Sequence, residues 1–345
     1  MTRHPVAKAW VYHGLRATSL VFLAILQCVA IIPVYAGEEG YRGMSSTGLY
    51  WIDDEQVLFV GYDSSELEAV ANGVKNEFQM TASIYAWNFK KNKARTIATR
   101  ANGVLCYNNG VILYGKRENG KDVRLLGPIG QEKAIDSSAG IADSVRCKIL
   151  DHNDKESMDH FYKKDRIELE TGILELPESF QGQIVYSPKT TGKRIVLNGY
   201  RGIDLRTSLV TTGIRYYPFK GGYFMAEQGF NGKRGTAWWL FPDGRTETVS
   251  LPKGPWDDGG SLQSSIAPTK VGVIVHHQVR KDWGLYLAAS SGFGELIKGA
   301  VMRYAVSPDG CKIAYFHQPL KGSEKDKLAR VPILKILNVC DNAAR

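Results

Sequence analysis

Helical periodicity is nearly missing from this 345-residue chain. After residue 36 one stretch carries it, ELEAVANGVKNEF, where Leu67, Val70, Val74 and Phe78 recur at helix spacing. Asn72-Gly73 interrupts that stripe, so the expectation is a short helix within a loop. Local catalytic signatures are missing too: there is no phosphate loop, dinucleotide fingerprint or HExxH, and no GxSxG elbow. No two cysteines form a CxxC pair, which removes support for a zinc knuckle or a thioredoxin-type site. Basic residues are scattered and do not alternate with aromatics, so a nucleic-acid groove is not expected. Low-complexity tracts and interdomain linkers are absent as well.

Long apolar runs are equally scarce, and the one present sits near the start. Residues 20–32, LVFLAILQCVAII, follow a segment with Arg3, Lys8 and Arg16 and no acid. The run has the length of a signal-peptide core and is short for a bilayer span. Pro33 stops a helix, and Val34-Tyr35-Ala36 places small side chains where a signal peptidase reads them. The alternative is an uncleaved anchor. A lipoprotein fits less well, because Gln27 stands before Cys28 where a small residue is required. The expectation is a signal peptide over 1–36, a mature domain over 37–345, a periplasmic or secreted location, and no transmembrane segment after cleavage.

Removing those three cations from the net charge of +9 leaves +6, which suits attraction to anionic glycans, headgroups or an acidic partner. Four cysteines remain: Cys106, Cys147, Cys311 and Cys340. An even number in an oxidising compartment reads as disulfides, with three connectivities open; four buried thiols are the alternative. With 43% apolar residues, the chain has material for a substantial core.

What the mature chain does contain is short apolar runs separated by turn chemistry, and the 36 glycines of the full sequence suit many tight turns. LYWIDDEQVLFVGY, VLCYNNGVILYGK, IRYYPFKGGYFMAE, APTKVGVIVHHQ and YAVSPDGCKIAYFH share one grammar: strand, Gly- or Asp-containing turn, apolar strand. Each has a second apolar strand downstream, giving a repeat of roughly 40 to 55 residues. Runs such as VILY and KIAYF are apolar throughout, as expected where neighbouring sheets cover both faces of a strand. The fold expected is all-β, a β-propeller of six blades, or seven if the irregular stretch 144–212 holds two. Its N- and C-terminal strands meet in one blade, because an open ring leaves exposed edges. A β-sandwich with insertions is the competing fold.

Within VSPDGCKIAYFH, residues Ser307-Pro308-Asp309-Gly310 followed by Lys312-Ile313-Ala314-Tyr315-Phe316 resemble the repeat of TolB-like β-propellers. Pro308 presets the turn, and Asp309 and Gly310 tolerate unusual backbone angles. Phe241-Pro242-Asp243-Gly244 shares the turn but follows a different strand. The resemblance implies periplasmic propellers that dock proteins and peptides, or that gate serine peptidases. The chain departs from both, having no room for a preceding α/β domain and no hydrolase motif.

Three polar clusters are candidates for chemistry. In DHNDKESMDH, Asp151, Asn153 and Asp154 offer oxygens for calcium, and His152 with His160 nitrogens for zinc. Glu156 and Tyr162 stand where an EF-hand loop requires glycine and glutamate, so a solvated loop competes. In WDDGG, Trp256 is placed to stack a sugar while Asp257 and Asp258 grip its hydroxyls; a capped turn is the alternative. His276 and His277 share a strand and therefore point to opposite faces, each packing between blades. His317 has the same packing role.

The leading functional expectation is an exported propeller that binds or docks a protein, peptide or envelope glycan, as a monomer and without a cofactor. The rival is a propeller hydrolase or lyase acting on a saccharide or lactone with calcium in the axial channel. A quinone dehydrogenase ranks last, for want of repeated Trp docking motifs. Binding belongs at the channel mouths, because packing consumes the blade faces. Cys311 opens one strand and Cys340 closes the next, so antiparallel pairing puts them together. Cys106 and Cys147 pair by exclusion, bridging adjacent blades. The signal reading has a direct check: Edman sequencing of the exported protein is expected to start at Gly37, and recovery of any residue from 1–36 contradicts it.

Overall fold

The structure, a computed structural model, describes residues 40–44, 48–108, 110–135, 166–169, 171–175, 184–197, 215–226, 236–257, 264–279, 281–318, 328 and 330–343. Among these the turn-separated apolar runs pair into six antiparallel sheets. The first holds β1–β4 (Tyr50–Trp51, Gln56–Tyr62, Ala82–Asn88, Lys93–Ala98) and the second β5–β8 (Ala101–Asn108, Val111–Glu118, Lys121–Pro128, Lys133–Ile135). The third holds β9–β12 (Arg166–Glu168, Gly172–Glu175, Ile184–Pro188, Ile195–Leu197) and the fourth β13–β16 (Arg215–Tyr217, Gly222–Ala226, Thr236–Leu240, Thr246–Ser250). The fifth holds β17–β20 (Ser264–Thr269, Gly272–His277, Gly284–Ala289, Gly292–Lys298) and the sixth β21–β23 (Ala300–Val306, Lys312–Gln318, Ile333–Asn338). Among the described residues are two α-helices, α1 (Ser64–Ala71) between β2 and β3 and α2 (Cys340–Ala343) after β23. None of the described helices is long and apolar enough to cross a membrane.

The continuous apolar runs are strands covered on both faces. Along β2, Val57, Leu58, Phe59 and Val60 are all 0% exposed. Alternation sends Val57 and Phe59 to one side, against Ala314, Phe316 and Leu334 of the sixth sheet. Leu58 and Val60 go to the other, against Ile112 and Tyr114 of the second. Strand β22 divides in the same way, with Ala314 and Phe316 toward the first sheet and Ile313 and Tyr315 toward Ile274 and Leu285 of the fifth. Val249 of the fourth sheet and Ile266 of the fifth share a cluster. Each fully buried Leu or Phe contributes on the order of 2 kcal/mol from burial alone.

The sixth sheet has three strands, and the chain's early residues lie along its edge. Arg42 forms an antiparallel bridge with Ile333, and Leu334 N donates to Tyr41 O at 2.8 Å. The Arg42 guanidinium caps Leu328 O at 2.7 Å and Val331 O at 3.1 Å. On its other side Gly43 bridges Gly61 of β2. The first sheet also touches the sixth through Trp51 Nε1, which donates to Ala305 O at 2.9 Å.

The turn 307–310 joins several sheets. Gly310 adopts φ +72°, a region a side chain resists. A Cβ there would also lie 2.7 Å from Phe219 Cδ1 of the fourth sheet's first turn. Asp309 works differently from the expectation of backbone tolerance, acting through its carboxylate. It accepts from Ser307 Oγ at 2.5 Å, Cys311 N at 2.9 Å and Lys312 Nζ at 2.5 Å. Burial opposes its charge, yet the bonds from Lys312 and Ser307 outweigh that and hold its pKa below the usual value. Asp309 N donates to Asp54 Oδ1 at 2.8 Å, and Lys270 N to Gly310 O at 2.9 Å.

Lys312 pairs with Asn338, and Val339 N donates to Cys311 O at 2.8 Å. That antiparallel register sets the Cys311 and Cys340 α-carbons 5.0 Å apart, joined by a disulfide. Cys106 lies on β5, where its side chain is not described, and Cys147 falls outside the described residues. Non-reducing peptide mapping is expected to recover Cys311 linked to Cys340. At a sequence separation of 29, replacing both by serine lowers stability by about 3 to 4 kcal/mol on a chain-entropy basis; a link from Cys311 to Cys106 or Cys147 contradicts the assignment.

Candidate functional site

In an antiparallel meander, connections leave the sheet alternately from its two ends. Those after the first and third strands are all six residues or shorter. They meet at a common end: besides the contacts of Asp309 and Gly310, Thr190 Oγ1 of the third sheet donates to Pro242 O of the fourth at 3.3 Å. The longer connection 63–81 leaves β2, a second strand, and so emerges at the opposite end, as does 251–257 after β16.

The connection 63–81 is described throughout. Asp63 precedes α1 in an extended conformation, and its carboxylate accepts from Tyr85 Oη in the middle of β3. Burial first, then this carboxylate, raises the Tyr85 pKa well above its ordinary value. Gly73, at φ +74°, ends the helix and donates to Val70 O at 3.0 Å. Lys75 then returns to α1, placing Nζ 2.9 Å from each oxygen of Glu66. Glu66 Oε2 also accepts from Thr81 N at 3.2 Å. One carboxylate therefore ties the beginning, middle and end of the insertion. The bond from Lys75 is the leading cause that holds its pKa low, against burial and with help from Thr81.

Beyond Lys75, Asn76 and Gln79 form a reciprocal cap on a 3₁₀ turn. Asn76 Oδ1 accepts from Phe78 N at 3.0 Å, and Gln79 Oε1 from Asn76 N at 3.0 Å. This satisfied frame displays Phe78 at 89% exposure and Val74 at 77%. Of the apolar stripe, only Val70 is buried. The helix stops at Ala71, before Val74 and Phe78 can rotate onto the face that Val70 occupies.

Trp256 sits inside the protein, 5% exposed, with ring centroids 5.9 Å from Tyr286 and 5.2 Å from Phe293. Its face packs against the fifth sheet, and Nε1 has no hydrogen-bond partner among the described residues. Asp257 ends the turn Pro255–Asp257; its side chain is not described, and Asp258 lies outside the described residues. Asp151, Asn153 and Asp154, with His152 and His160, also lie outside them. Among the described residues no three His, Cys, Asp or Glu side chains stand close enough to hold a metal.

His276 and His277 are both buried. His276 Nε2 donates to Val301 O at 2.6 Å across to the sixth sheet, beside the Tyr304 ring at 5.4 Å. Trp283 Nε1 reaches the same carbonyl at 3.2 Å, where β21 shifts register. Burial pushes the His276 pKa down to about 4, against the Val301 bond. Burial, then Lys335, also lowers that of His317.

No protein-family model matches the sequence, and no curated protein matches it. Among solved structures, acylaminoacyl peptidase from Pyrococcus horikoshii is 9% identical with a TM-score of 0.33, covering 87% of this chain and 51% of that one. TolB from Acinetobacter baumannii is 12% identical with a TM-score of 0.32, covering 76% of this chain and 63% of that one. The β-propeller domain of the Trilobed protease from Pyrococcus furiosus is 11% identical with a TM-score of 0.32, covering 88% of this chain and 97% of that one. The chain spans about half of the peptidase and under two thirds of TolB. At these scores the fold rests on the sheets themselves.

The neutral His276 generates a pH prediction. Its pKa is lower folded than unfolded, so acid favours the unfolded chain. Stability falls as pH drops from about 6.5 toward 4, by roughly 3 kcal/mol from this group. Above about pH 7 its contribution is complete. Urea midpoints measured from pH 4 to 8 are expected to follow that curve, with a shallower slope in His276→Gln, where His317 still acts in the same direction; identical slopes contradict it.

Proposed function

We propose that the six sheets are the blades of one closed β-propeller over residues 37–345, exported after loss of 1–36. It acts in the periplasm or outside the cell as a monomeric docking module for a protein, peptide or envelope glycan. The pairing of residues 41–43 with β23 supports closure. The Cys311–Cys340 disulfide supports an oxidising compartment. The TolB-like turn 307–310 agrees with a docking role.

The observation that carries the reading is the division between the two ends. Short turns, bound to one another across neighbouring sheets, occupy one end. Longer connections occupy the other, and there 63–81 holds two bare apolar side chains on a hydrogen-bonded frame. A fold that displays apolar groups from a rigid support holds them in place for contact.

The test compares the ends. p-Benzoylphenylalanine is introduced at Lys253 and Lys281 on the long-connection end, and at Lys91 and Lys193 on the short-turn end. Irradiation of envelope preparations is expected to give discrete adducts from the first pair alone. Adducts from the short-turn end alone contradict the proposal.

A further inference from the structure

We infer that residues 63–81 are the anchor by which this protein docks on another protein, inserting Phe78 and Val74 into an apolar cleft edged by Lys and Arg. The inference rests on the docking reading above and names its partner's chemistry.

Geometry supplies the first part. Phe78 and Val74 are exposed while the backbone around them is held by the Asn76–Gln79 cap and by Glu66. A side chain presented on a fixed support loses little freedom on docking, and an aromatic residue entering a pocket is the usual anchor of an interface.

Charge supplies the second part. Residues 63–81 contain four acids, Asp63, Glu66, Glu68 and Glu77, and one cation, Lys75, so the insertion carries −3 within a chain of net +9. Lys75 is already committed to Glu66, and Glu68 is exposed. An anionic membrane surface repels such a segment. A second copy docked by a two-fold axis would set −3 against −3, because that symmetry pairs each patch with itself. The occupant that fits is therefore a different protein with a cationic rim, which steers encounter and fixes register while the cleft takes Phe78.

The test uses the full exported protein with p-benzoylphenylalanine at position 78, irradiated in envelope preparations at low and high salt. Support is one hetero-adduct whose cross-linked peptide lies beside Lys or Arg. Its yield is expected to fall about tenfold at high salt and in the E68K/E77K double variant, the response of a charge-steered contact. The thermal midpoints of that variant and of Phe78→Ala are expected to stay at the parent value. A homo-adduct overturns the inference, as does an adduct indifferent to salt and charge reversal. A large drop in midpoint for Phe78→Ala overturns it through its premise of exposure. Adducts at Lys253 or Lys281 but none at 78 reject this anchor and leave the docking reading intact; no adduct at any of the three rejects both.

Discussion

The second strand of each well-described sheet has to bury two faces at once. Val57 and Phe59 require a sheet on one side of β2, and Leu58 and Val60 require another on the opposite side. The same demand recurs at β22 and β18. A single sheet cannot satisfy it, and a pair satisfies it for one face only. Stacking in succession follows, and an apolar run that is covered on both sides is its mark in the sequence.

Stacking commits the sheet faces and leaves their ends. At one end, short turns hydrogen-bond to those of neighbouring sheets, through Asp309 to Asp54, Gly310 to Lys270 and Pro242 to Thr190. A turn bound on several sides has no latitude to lengthen. The longer connection 63–81 lies at the opposite end, held by Glu66, Lys75 and the Asn76–Gln79 cap. Buried polar groups between the sheets follow packing logic: His276 stays neutral because its bond to Val301 O needs no charge and burial penalises one.

The insertion 63–81 inverts the rule that governs the rest of the chain. Elsewhere polar groups serve the turns and apolar groups fill the stack. Here Glu66, Lys75, Asn76 and Gln79 form the internal support, while Val74 and Phe78 stand outside it. A segment held together by hydrogen bonds and one ion pair does not require its apolar residues for cohesion. They are free for another use.

Much of the fold was legible in residue order alone. Alternation and turn chemistry located the strands of the first, second, fourth, fifth and sixth sheets and three of the four in the third, Gly172–Glu175, Ile184–Pro188 and Ile195–Leu197, because both signals are local. The Cys311–Cys340 disulfide was legible as well, since antiparallel neighbours bring the start of one strand beside the end of the next. Exposure was not. Trp256 beside two aspartates read as a sugar platform, yet its ring fills the space between Tyr286 and Phe293. Gly73 ends the helix where the break at Asn72-Gly73 was expected, but that this leaves Phe78 outside the protein was not legible. That the two ends of the domain meet was expected, but which residues do so was not: 41–43 pair with β23 across nearly three hundred positions, as the Arg42 to Leu328 separation of 286 records. The sequence by itself determined the strands, their turns and the neighbours each hairpin would pair, because those depend on residues a few positions apart. Which apolar side chains are buried depends on surfaces contributed from elsewhere in the chain, and only the tertiary structure decided that.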